Sequence, residues 1–133
     1  MIYLDTSALL RTVFAEEHSP ALKAYIQEND ADGFVSSVLL TVEMRRAVRR
    51  IDARSLPKAD VELYRVALVS LSDAVVEKAS RFPDPGLRSL DAIHVATALL
   101  VREELTAVVS YDKRMVAVGR SEGLPVVSPG GDR

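Results

Sequence analysis

A chain of 133 residues, 48% hydrophobic and 27% charged, has the make-up of one globular domain and excludes a disordered or collagen-like chain. At this size a core forms without cross-links, and with no cysteine present disulfide staples, thiolate nucleophiles and cysteine-rich zinc sites are excluded. A net charge of −2 lacks the overall basic field of a dedicated nucleic-acid binder.

The opening MIYLDTSALLRTVF has no basic stretch ahead of its apolar residues, and no apolar run approaches the roughly 18 residues that span a bilayer, so a cytoplasmic protein without a membrane partner is expected. Ile2 to Leu4 reads as a strand, Thr6 to Phe14 as a helix, and Pro20 opens a second helix to Gln27. Gly33 resets the chain before a second strand, Phe34 to Ser36. The helix that follows, Val38 to Asp52, begins with VLLTVEM, apolar on most sides and therefore expected to be buried.

Ser55 or Leu56, before Pro57, starts a helix to Leu68, and Val69 to Leu71 is the expected third strand, with Ser72 or Asp73 capping a helix to Arg81. FPDPG breaks the chain. Ser89 then caps a helix from Leu90 to Glu103, Ala107 to Val109 is the fourth strand, and Asp112 caps a helix to Ser121. Leu124 to Val127 makes a fifth strand before the tail SPGGDR, whose residues 129–133 are expected to be flexible. No repeat or linker-like stretch interrupts the chain. Strands alternating with helices imply a three-layer α/β/α sandwich around a short parallel central sheet, whose ligands bind beyond the carboxyl ends of the strands where strand order reverses.

Four acids stand where packing alone would not put them. Asp5 ends the first strand, Glu43 interrupts a buried-looking run, Asp91 opens the apolar helix LDAIHVATALL, and Asp112 follows the fourth strand. Each has an ordinary structural role available. Asp5 and Asp112 can cap helices, Asp91 can complement a helix macrodipole, and Glu43 can reach solvent or Arg46. If the four converge, two carboxylates about 5 Å apart at an effective dielectric of about 20 repel by about 3 kcal/mol, so either several protonate or a divalent cation neutralises them. An all-oxygen donor set selects Mg²⁺ or Mn²⁺, and the chemistry implied is phosphoester hydrolysis by water that the ion activates.

The hydroxyls of Thr6, Ser7 and Ser110 stand beside these acids and can orient a carboxylate, or can be plain caps. His94, three residues after Asp91, reads as a packed histidine or a ligand, and His18 as part of a helix start. From Met44 to Lys58 six basic residues face one acid, so Arg45, Arg46, Arg49 and Arg50 form either a solvated helix face or a docking surface for RNA phosphates or an acidic partner. The sequence contains no nucleotide-binding glycine loop and no serine-hydrolase elbow.

IYLDTSALL, the glutamate of SSVLLTVEMRRA, LRSLDAIHVATAL and VVSYDKRM, in this order, resemble the PIN-domain ribonucleases, specifically the VapC-like toxins of type II toxin–antitoxin systems. The resemblance covers nearly the whole chain and implies a PIN-like nuclease domain over residues 1–128. It further implies an acidic metal site of Asp5, Glu43, Asp91 and Asp112, with Asp5 and Asp91 as direct ligands and Ser110 in support. The implied activity is endonucleolytic cleavage of structured RNA such as tRNA or rRNA. Partners implied are a small cognate antitoxin and a second copy of the chain, in a homodimer that joins the antitoxin as a heterotetramer or larger complex. The late motif carries one acid, Asp112, where some relatives carry two, so the number of metal ions stays open. Two other readings compete: a non-catalytic RNA- or partner-binding module, and a haloacid-dehalogenase-like phosphatase, which wants a second aspartate where Ser7 stands.

Overall fold

A computed structural model describes residues 1–131. The β-branched and aromatic residues of β1 (Ile2–Leu4) are all buried, so this strand needs neighbours on both edges. It pairs in parallel with β2 (Phe34–Ser37) on one side and β4 (Ala107–Val109) on the other. The sheet is completed by β3 (Val66–Val69) beyond β2 and β5 (Val126–Val127) beyond β4, in the order β3-β2-β1-β4-β5, all parallel. The chain builds outward from β1 in one direction and then crosses to its other side. The reversal therefore falls between the carboxyl ends of β1 and β4, where Leu4 lies in register with Val109.

Side chains alternate across the strands and define the three layers. Ile2, Leu4 and Val109 face one core with α1 (Thr6–Val13), α2 (Ser19–Glu28), α3 (Leu39–Asp52) and α4 (Leu56–Tyr64), where Leu9, Leu22, Met44 and Leu63 are buried. Tyr3, Val35 and Val108 face the other core with α6 (Ser89–Leu100) and α7 (Lys113–Ser121), through Val95, Ala98, Met115 and Val118. The short α5 (Asp73–Ala79) packs on α6. Each large aliphatic side chain fully removed from water contributes about 1.5–3 kcal/mol, so two such faces suffice for a domain without cross-links.

Several expectations are corrected. The helix expected to reach Leu68 ends at Tyr64, and the third strand is Val66–Val69, not Val69 to Leu71. Pairing of Val66 to Val69 with Phe34 to Ser37 satisfies backbone groups that helix propensity alone would have kept in the helix. The run VLLTVEM is only half buried, since α3 needs one apolar stripe and leaves Val38 and Val42 40% and 57% exposed. Ser89 is the first helical residue of α6 and Arg88 precedes it without a side-chain cap. That helix stops at Leu100, before a 3₁₀ turn at Arg102–Glu104, and β5 is limited to two residues. The tail is tied down at its start, with Ser128 Oγ donating to the Ser110 carbonyl at 2.6 Å and Tyr111 Oη to the Pro129 carbonyl at 2.7 Å. The rest of the expected flexible segment, residues 132–133, lies outside the described residues.

Candidate active site

Asp5 leaves β1 at the reversal point, and its side chain is 2% exposed. It caps α1, accepting from the Ala8 N–H at 2.9 Å, as an aspartate in extended conformation before a helix should. Capping is only part of its role. Ser7 Oγ donates to Oδ1 at 2.7 Å, and Ser110 Oγ, from the end of β4, donates to Oδ2 at 2.5 Å. Ser110 Oγ also accepts from the Asp112 N–H at 3.1 Å, while Ser7 Oγ accepts from the Tyr111 N–H at 2.9 Å. The two hydroxyls thereby sew the ends of β1 and β4 together around one carboxylate. Burial pushes the Asp5 carboxyl above its ordinary range, against the opposing pull of His94 and of the hydrogen bonds from Ser110, Ser7 and Ala8.

Asp91 sits half-buried in the first turn of α6, and its carboxyl is pushed up to about 6. Burial is the largest cause, followed by the negative charges of Asp112 and Asp5, with Glu43 adding to them and His94 opposing. The four acids therefore share one electrostatic neighbourhood although they come from four separate elements. Asp112 caps α7, accepting from the Met115 N–H at 2.9 Å, which fixes its carboxylate beside the end of β4.

Glu43 does not reach for Arg46. Its Oε1 lies 2.7 Å from His94 Nε2, and His94 Nδ1 lies 2.7 Å from Tyr3 Oη, which accepts from the Ser37 N–H at 3.2 Å. Tyr3, His94 and Glu43 thus form one continuous hydrogen-bonded chain through both ring nitrogens of His94. Tyr3 and His94 are essentially inaccessible, and burial pushes the Tyr3 hydroxyl upward, so it stays a donor. His94 is thus a packed histidine with a polar task, holding Glu43 from behind. Tyr3 was not among the residues singled out from the sequence. The available signal was a tyrosine in a three-residue strand otherwise made of aliphatic side chains.

The remaining candidates divide. Thr6 Oγ1 is buried and has no hydrogen-bond partner among the described residues. Arg46 and Arg50 are exposed at the third and seventh positions after Glu43, hence on its flank of α3. Arg45 turns the other way and pairs with Asp60 at 3.0 Å, with Arg49 one turn further along that side.

The donor set fits a hard divalent cation, because it is wholly oxygen and because the like charges around Asp91 are relieved by positive charge. Among the described residues no three acids or histidines form a ready-made cage.

The parallel α/β/α sandwich is the architecture on which the comparisons with known proteins converge. The family model described as PIN domain matches residues 2–121, and the chain belongs to that family. It is 37% identical over 132 residues, covering 98% of each chain, to a Mycobacterium tuberculosis protein named Ribonuclease VapC35, and 35% identical along the whole of both chains to Ribonuclease VapC47 of the same species. Among solved structures it resembles Mycobacterium tuberculosis VapC20, described as a toxin that cleaves the sarcin-ricin loop, with a TM-score of 0.73 at 16% identity over 97% of this chain and all of the other. A VapBC2 structure from Rickettsia felis, bound to a DNA fragment from its own promoter, gives a TM-score of 0.72 at 16% identity, covering 97% and 99% of the two chains.

Proposed function

We propose that this protein is a Mg²⁺- or Mn²⁺-dependent endoribonuclease, the toxin of a toxin–antitoxin pair, and that it cleaves structured RNA such as tRNA or rRNA. The observation that carries this reading is the Asp91 carboxyl, held near 6 by burial and by three neighbouring acids from other parts of the chain. Curated relatives named as ribonucleases, matched over 98% or more of this chain, support the same activity.

In this reading Asp5 and Asp91 hold the ion, with Glu43 and Asp112 completing its surroundings. When bound, the ion supplies Lewis acidity to water and offsets the charge that builds up on the phosphate. The chain's own groups do the rest. Ser7 and Ser110 orient Asp5 and favour its charged form against the effect of burial by donating to both of its oxygens. Glu43, with Oε1 committed to His94, accepts the proton of the attacking water. Arg46 and Arg50, on the flank of Glu43, draw in the phosphate backbone, so affinity falls as salt rises. Arg45 and Arg49 serve an acidic partner on the adjoining face.

The partners proposed are RNA, a small cognate antitoxin and a second copy of the chain, assembling as a homodimer and with the antitoxin as a heterotetramer or larger. The solved structures that share this fold include toxin–antitoxin complexes, which supports an antitoxin as partner. No helix among the described residues is long and apolar enough to cross a membrane.

The test is cleavage of tRNA and rRNA by the purified protein with Mg²⁺ and with EDTA, followed by mapping of the new ends. Defined cuts that EDTA abolishes are expected. Retained cleavage after exhaustive chelation refutes metal dependence, and RNA binding without any cleavage selects the non-catalytic module.

A further inference from the structure

We infer that Tyr111 and Ser128 are positioning residues for the acidic site: through them the segment after β5, residues 128–131, fixes residues 110–112 and so sets how tightly the carboxylates hold a divalent cation. The inference rests on the metal-site reading above and is tested by a measurement that needs no cleavage.

Each of residues 110–112 bears on a carboxylate. Ser110 Oγ donates to Asp5 Oδ2, the Tyr111 N–H donates to the Ser7 hydroxyl that in turn donates to Asp5 Oδ1, and Asp112 is itself one of the four acids. A shift of this segment therefore disturbs Asp5 and Asp112 together. Yet the segment belongs to no helix or strand. The sheet ladder ends where the Ser110 N–H meets the Val127 carbonyl at 3.2 Å, and α7 begins only at Lys113.

The hold comes from the end of the chain. Ser128 Oγ donates to the Ser110 carbonyl at 2.6 Å, and the Pro129 carbonyl accepts from Tyr111 Oη at 2.7 Å. Residues 128–131 can do this because they turn back on themselves, with the Gly131 N–H donating to the Ser128 carbonyl at 2.7 Å and Gly130 at a φ of +84°. A Cβ at Gly130 would also stand 2.8 Å from Ala21 and 3.1 Å from His18 Nδ1. Glycine is thus what lets the turn lie against the start of α2.

The Tyr111 ring is fixed as well. Arg11 stands 4.2 Å from its centre, and the His18 ring lies nearly parallel to it at 5.7 Å. Arg11 also donates to the Ser7 carbonyl at 2.7 Å. With its ring held, Tyr111 ties Pro129 at its hydroxyl to Ser7 at its N–H. Partners that orient metal-binding carboxylates from behind typically change metal affinity by about 10- to 100-fold when lost. The bonds from residues 128 and 129 act one step further out, through Ser7 and Ser110, so a smaller effect is expected.

The experiment titrates the full chain with Mn²⁺ alone, well below the melting temperature, and reads the free ion by electron paramagnetic resonance. Tyr111→Phe, which keeps the ring and loses only the hydroxyl, and Ser128→Ala should each weaken Mn²⁺ binding by about threefold to tenfold. Ser121→Ala removes a comparable bond at the far end of α7, from Oγ to the Val118 carbonyl at 2.8 Å, and should leave the affinity within about twofold of the parent. Melting curves in EDTA confirm that all three variants are folded. Lost stability with unaltered Mn²⁺ affinity in both Tyr111→Phe and Ser128→Ala overturns the inference, because the bonds would then serve the fold alone. An equal loss of affinity in Ser121→Ala overturns it too, by making the effect general. Failure of the parent to bind Mn²⁺ overturns it together with the metal-site reading. Weakened Mn²⁺ binding in the two variants, beside a parent that cleaves no RNA, keeps the positioning role and sinks only the ribonuclease reading.

Discussion

The two ends of the parallel sheet are built on opposite principles. At the amino ends of β2 and β3 lies a cavity of about 560 Å³, lined by Lys23, Ile26, Asp30, Lys58, Glu62 and Arg65 among others. Its charges are exposed and mostly cancel in place, as Arg65 pairs with Asp30 at 3.2 Å and with Glu62 at 3.4 Å. At the carboxyl ends of β1 and β4 stand a buried aspartate and a half-buried one, both with raised carboxyls and neither with an ion-pair partner among the described residues. The end that carries this cavity is electrostatically at rest; the other stores repulsion. Unrelieved like charge marks the candidate site better than empty volume does.

The largest expected effect comes from removing that charge. Asp5→Asn, Glu43→Gln, Asp91→Asn or Asp112→Asn should each cut RNA cleavage by about 10²-fold or more, with the fold retained, as checked by rates of product formation beside thermal melts. Asp91→Asn should match or exceed the parent's melting temperature in EDTA, because it removes repulsion. A variant inactive only because it unfolds would return these acids to a structural role.

Next in size is the support behind Glu43. Tyr3→Phe removes one hydroxyl, leaves the Ser37 N–H and a His94 nitrogen without their partner, and should cost about 1–3 kcal/mol in denaturant unfolding. Cleavage should fall by about tenfold at an unchanged KM, since the residue positions Glu43 without touching RNA. An unaltered rate would separate Glu43 from the buried chain behind it.

Metal and pH sharpen the same contrast. Mg²⁺ or Mn²⁺ at about a hundred times its dissociation constant should stabilise the protein by about 2.7 kcal/mol, and by less in Asp91→Asn, read from melting curves. Without metal, the native state keeps the Asp91 proton up to about pH 6 whereas the unfolded chain has lost it near 3.8. Stability should therefore be greatest below that window and decline as pH rises through it, an effect absent in Asp91→Asn. A pH dependence of the melting temperature between pH 4 and 6.5 in EDTA that is identical in the parent and in Asp91→Asn contradicts the raised carboxyl.

At the quiet end the expected effect is the smallest. Arg65→Gln breaks two exposed ion pairs and should cost under about 1 kcal/mol, with cleavage unchanged. A large loss of activity there would mean that the paired end also takes part.

The sequence by itself determined the layer order, because apolar alternation in short runs and 3.6-residue stripes in longer ones are local properties of the chain. It also marked the four acids, since an aspartate after a strand and a glutamate in an apolar helix conflict with burial wherever the chain folds. Val66–Val69 went unread because an edge strand preceded by a helix has no local boundary, and pairing with β2 decides it. Only the tertiary structure decided that the strand order reverses between β1 and β4, which puts Ser110 on Asp5 across 105 residues. It likewise joined His94 to Tyr3 and Glu43 across separations of 91 and 51 residues. Periodicity describes neighbours along the chain, whereas hydrogen bonds between strand ends depend on sheet order, and that order is set by the packing of all the helices at once.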